Sequence, residues 1–216
     1  MNSGSRTNLP WQGVLALSAL LALVALPVPA AALPASGGDI VRAFYATLLG
    51  TMKNARALGE RGRYARLAPV ILRTFDLPLM TRLAVGPAWS GLRPDQQRQV
   101  TQAFGRYMSA VYADRFDRYS GEQLRVIGER PIASGLVVES EIVKADGNPV
   151  SIDYLMRRHD GSWQIADVYL VGTISELATH RSEFADILAK RGIAGLIAAL
   201  NHKADQIAAS RTGNRS

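Results

Sequence analysis

Cysteine is absent from all 216 residues, so no disulfide can staple this fold, and no thiolate is available for catalysis or metal ligation. Acidic residues are in short supply: 18 Asp and Glu stand against 25 Lys and Arg, a net charge of +7. Histidine occurs three times. There is no G-x-S-x-G elbow, no P-loop, no G-x-G-x-x-G and no H-E-x-x-H, which removes the commonest hydrolase, nucleotide-binding and zinc-protease signatures. No internal repeat or low-complexity tract is present apart from the polar tail, residues 210–216.

Long apolar runs are also missing, with one exception near the start. Arg6 precedes an uncharged run, residues 14–26, which Pro27 and Pro29 end before the small residues Ala30, Ala31 and Ala32. This run is shorter than the roughly 20 residues a bilayer-spanning helix needs, so the pattern reads as a cleaved secretory signal over residues 1–32; an uncleaved anchor is the alternative. Export to the periplasm follows from that reading. What remains, residues 33–209, has the length of one ordinary domain with its own core. The basic excess by itself suits nucleic acid, an anionic membrane or an acidic protein. Export argues against nucleic acid, and Arg56, Arg61, Arg63, Arg66, Arg73, Arg93, Arg98, Arg106, Arg115 and Arg118 are scattered among acids as on solvated helical faces.

The order of elements is helices, then sheet, then helices. Asp39 opens a helix with Ile40, Val41, Phe44, Leu48 and Leu49 on its apolar side, ending around residues 51–57. Residues 64–84 read as two short helices parted at Asp76-Leu77-Pro78, and Pro94-Asp95 begin the longest one, with Val100, Phe104, Tyr107, Met108, Val111 and Tyr112 on one face. Four strands follow over residues 123–130, 136–144, 149–158 and 163–171, with Asp146-Gly147-Asn148 and Asp160-Gly161 as tight turns. Gly172 ends the last strand, Thr173 or Ser175 caps a helix over residues 174–190, and Gly192 separates it from another over residues 193–208. The expected fold is α+β: a curved antiparallel sheet of about four strands with helices on one face, in the manner of an NTF2-like cone.

Strand alternation places Leu136, Val138 and Ile142, then Ile152, Tyr154 and Met156, then Ala166, Val168 and Leu170 on the covered face. Glu139, Glu141, Asp153, Arg157 and Asp167 fall on the other, where they can pair across strands. From pattern alone, such an apolar face under helices is a packed core.

Phe75-Asp76, Gly86 and Trp89 ahead of the long helix, the hairpin of Asp160, Gly161, Trp163, Asp167 and Val168, and the following Arg181-Ser182-x-Phe184 together resemble the MlaC family of periplasmic phospholipid-binding proteins, the toluene-tolerance auxiliary family. The segment GTISELATHRSEF is most similar to its hopanoid-associated branch, HpnM. The resemblance implies acyl chains held between sheet and helices, with Phe104, Met108 and Val111 from the long helix and Leu136, Val138, Ile142, Ile152, Tyr154, Met156, Val168 and Leu170 from the strands as lining. It further implies a monomeric carrier of phospholipid or hopanoid, with no cofactor besides the bound lipid. Its partners would be an inner-membrane MCE-type ABC transporter or a hopanoid exporter, and an outer-membrane lipoprotein complex. Trp89 and Trp163 read as core packing and Phe75-Asp76 as a helix junction.

Two other classes compete. Helix-covered sheets of this kind also host isomerases and dehydratases that set an Asp base and a Tyr donor in an apolar cone; Tyr154 suits that role, but Asp153 and Asp167 alternate to the opposite face. His180 with Glu176 and Glu183 has helical metal-ligand spacing, though one histidine and two glutamates more often form a solvated face. The third class is an interaction protein whose interior is filled by its own side chains.

Overall fold

Side-chain caps set the helix boundaries. The structure, a computed structural model, describes residues 35–210. Helix α1 (Gly37–Lys53) starts at Ser36, whose hydroxyl accepts from the Asp39 amide at 3.1 Å while the Asp39 carboxylate accepts from the Ser36 amide at 3.1 Å, a capping box. Helix α2 (Ala55–Thr74) begins earlier than the expected residue 64 and is interrupted at Gly59, whose φ of 59° breaks the helical path without ending it. Asp76 then caps α3 (Leu77–Val85), its Oδ1 accepting from the Leu79 amide at 3.0 Å, with Pro78 in the first turn where its missing N–H costs nothing. A short 3-10 helix (Gly86–Gly91) leads to α4 (Pro94–Arg115). Arg63 departs from the solvated-face expectation: it is 4% exposed and its Nε donates to the Ala113 carbonyl at 2.7 Å, tying α2 to α4.

Five strands form one antiparallel sheet in chain order: β1 (Gln123–Ile132), β2 (Gly135–Val143), β3 (Pro149–His159), β4 (Ser162–Leu170) and β5 (Ile174–Ser175). The α+β class is as expected, with one strand more than the four read from the sequence. Between β3 and β4, His159 pairs with Ser162 across Asp160 (φ 47°) and Gly161 (φ 81°), the two positive φ values of a tight hairpin turn whose twist matches its strands. Helix α5 (Glu176–Ser210) loses helical geometry at Gly192, as the glycine signal predicts.

Three strand expectations need correction. Ile174 belongs to β5 and is exposed, because Val171 (φ 51°) and Gly172 (φ 70°) turn the chain back so that Ile174 pairs with Leu170; the helix starts at Glu176 behind a Ser175 cap. On β4, Met156 pairs with Ile165 and Leu155 with Asp167, so a bulge leaves Ala166 without an opposite residue and puts Ile165 on the covered face in its place. Asp167 was expected to pair with charges across the open face. It is instead buried, its Oδ1 accepting from the Val168 amide at 2.7 Å and the Leu177 amide at 3.1 Å, and its Oδ2 from the Ser175 hydroxyl at 2.6 Å. That carboxylate holds the start of α5 against the sheet.

The described residues all lie in the unit Pro34–Ser216; the expected leader, residues 1–32, and the tail beyond Ser210 lie outside them. One core cluster joins α1, α2, α3, α4 and α5 to the covered face of β2, β3 and β4. Helix α1 reaches the sheet closely because Gly37 has no side chain: a Cβ there would stand 2.5 Å from Leu136 Cδ2. Glu129 of β1 secures the same contact, accepting from the Ser36 hydroxyl at 2.7 Å and the Gly38 amide at 2.9 Å.

Candidate functional site

The interior between sheet and helices is apolar and centred on aromatic rings. Phe44 of α1 meets Phe75 at 5.4 Å, Tyr112 at 5.7 Å and Tyr154 at 6.5 Å between centroids, all edge to face. Around them, Phe104, Met108, Leu136, Val138, Ile152, Met156 and Val168 are buried in one cluster, while Ile142 and Leu170 pack half-buried against its margin. Val111 is not brought to this cluster: Met108 and Tyr112 take the inward positions of α4. Polar atoms inside are few. The Tyr45 hydroxyl and Ser140 Oγ lie 2.7 Å apart, and Ser140 also donates to the Ile152 carbonyl. Burial pushes the Tyr154 and Tyr112 phenols above their ordinary values, so both stay neutral.

A surface pocket borders this interior. Ile40, Ala43, Phe44 and Thr47 of α1, Val70, Arg73 and Thr74 of α2, and Ser162, Trp163 and Gln164 of β4 line a pocket of about 490 Å³, within the range of about 300–1,000 Å³ usual for ligand sites. Phe44, the ring at the centre of the aromatic cluster, is among its lining residues, so the pocket borders the core. Its rim is polar. Gln164 Nε2 donates to the Arg73 carbonyl at 3.0 Å, joining the hairpin to the last turn of α2, and the Arg158 guanidinium lies 4.7 Å over the Trp163 ring. Trp163, expected in the core, is half-buried at this opening. None of the eleven predicted lining residues borders the pocket. The signal that pointed to it was a helical stripe, residues 40, 43, 44 and 47, in which small Ala43 and short Thr47 leave room beside Phe44.

The chemistry available is thin. His180 packs among Phe104, Tyr107 and Phe184 at 5.4 to 5.9 Å, and burial holds its imidazole below the ordinary value despite Glu176 and Glu183 nearby. Among the described residues no group of three or more His, Asp or Glu is placed to hold a metal ion. Asp153 and Asp167 lie on the face away from Tyr154, and Glu176, whose field reaches the Tyr112 and Tyr154 phenols, is paired with Arg115 at 2.7 Å.

A helix-covered antiparallel sheet, apolar within and bordered by a pocket with polar lining residues, suits binding better than catalysis. The chain belongs to the MlaC family: residues 42–202 match its model, described as MlaC protein. The fold is similar to that of the phospholipid-binding protein from Ralstonia solanacearum in complex with a phospholipid, with a TM-score of 0.70 and 25% sequence identity over 81% of this chain and 99% of that one.

Proposed function

We propose that this chain is a periplasmic lipid-binding carrier that takes up phospholipid through the pocket between α1, α2 and β4. The observation that carries this reading is an apolar interior bordered by a pocket with polar lining residues, in a fold shared with a protein captured holding phospholipid. The acyl chains would lie between sheet and helices, among Met108, Leu136, Val138, Ile152, Tyr154, Met156 and Val168. Those side chains now fill the space themselves, so loading requires α1 and α2 to part from β4.

Each buried methylene is worth about 0.8 kcal/mol, so a dozen would gain on the order of 10 kcal/mol, nearly what a bilayer offers the same tail. A carrier therefore exchanges lipid at little net cost, and a partner that biases the open form sets the direction. The sequence has no ATP-binding motif, so in this reading the energy for transport comes from elsewhere, from an inner-membrane MCE-type ABC transporter facing an outer-membrane lipoprotein complex. The HpnM-like segment over residues 172–184 favours a second reading in which the cargo is a hopanoid passed from a hopanoid exporter.

Mass spectrometry of lipid extracted from protein purified from its own periplasm without detergent separates these readings. Stoichiometric phospholipid is the expected result, and a hopanoid in its place would move the protein to the narrower branch. An empty protein that takes neither lipid from vesicles would overturn the carrier and leave an interaction protein with a filled core.

A further inference from the structure

We propose that Arg73 recognises a lipid phosphate at the pocket rim, making the carrier selective for phosphate-bearing lipids over neutral ones; this rests on the carrier reading above. Arg73 is exposed on the last turn of α2, and its backbone is fixed by the bond from Gln164 to its carbonyl. No acidic residue lines the pocket, and among the described residues Arg73 forms no ion pair, whereas Arg115, Arg125 and Arg130 are each held by a glutamate. Its guanidinium is therefore available, and the planar fork matches two phosphate oxygens at once.

The other lining residues contribute little attraction for an anion, though the Arg158 guanidinium stacked on Trp163 adds to the positive field nearby. Thr74 and Ser162 bring neutral hydroxyls, and the carbonyl end of α2 carries a partial negative charge that opposes a phosphate. Arg73 is the one charged side chain among the residues that line the pocket. Phe44 lines the same pocket, so apolar surface and a guanidinium adjoin, as a phosphate-bearing amphiphile requires. A neutral polycyclic or diacyl lipid seated there would cover the guanidinium without pairing it, a loss rather than a gain.

The test loads the protein from phosphatidylglycerol vesicles doped with diacylglycerol of matched chains, then measures by mass spectrometry the ratio of the two bound lipids. Wild type is expected to enrich phosphatidylglycerol by about tenfold or more, the worth of a charge-assisted pair. Arg73→Gln should lose most of that enrichment while still binding diacylglycerol, Arg73→Lys should restore part of it, and Arg98→Gln, on the exposed side of α4, should match wild type. An Arg73→Gln protein that binds lipid at the wild-type ratio would overturn the assignment while leaving the carrier intact; a wild-type protein that binds neither lipid would overturn both. Thermal melting with inorganic phosphate alone covers the remaining source of the same chemistry: a shift abolished by Arg73→Gln in a protein that shows no enrichment of phosphatidylglycerol would make this a free-phosphate site and overturn the lipid assignment.

Discussion

The two faces of the same sheet are built on opposite principles. Toward the helices, Val138, Met156 and Ile165 are wholly buried and their partners are rings and aliphatic chains. Away from the helices, charged side chains of β1 and β2 meet solvent: Arg130 pairs with Glu139 at 3.1 Å, Arg125 with Glu141 at 3.7 Å, and the bulge residue Ile127 is 61% exposed. A groove of about 450 Å³ bordered by Glu139, Glu141, Ser151 and Asp153 lies there. The difference teaches that polarity in this sheet follows what covers it. Asp167 makes the point from the polar side, since β5 and the start of α5 fold over it and convert a surface carboxylate into a buried structural acceptor.

The largest effect is expected on the covered face. Met156→Ala should cost about 3 kcal/mol in chemical denaturation, the transfer term plus a cavity; a loss under about 1 kcal/mol would show that the interior collapses or hydrates easily and would break the contrast. Asp167→Ala comes next at about 2 kcal/mol, because the Leu177 amide and Ser175 hydroxyl lose a charged acceptor in a buried place. A neutral result would return Asp167 to the open face in energetic terms. Smallest is Glu139→Gln, which removes the Arg130 pair where both side chains are largely exposed; the midpoint should move by no more than about 0.5 kcal/mol, and less in high salt.

The order of elements was legible because its signals are local. The Asp160-Gly161 turn, the Asp76 cap with Pro78, and Gly192 in α5 each act through their own backbone, so residue type alone predicts them. Most of the apolar face was legible for the same reason, since alternation along a strand needs no knowledge of its neighbours. Register was not: the β4 bulge that exchanges Ala166 for Ile165 depends on how β3 and β4 align, and Val111 stays out of the cluster while Met108 and Tyr112 take the inward positions of α4.

The pocket itself needed three separated segments, residues 40–47, 70–74 and 162–164, brought side by side by packing. Each is unremarkable alone. The amino-acid order determined which residues are apolar, where the chain turns and caps, and hence the α+β class. Only the tertiary structure decided that Phe44 and Arg73 would line one pocket, and that Asp167 would be buried. Both outcomes depend on distances between elements far apart in the chain, and such distances are set by how side chains fill space together.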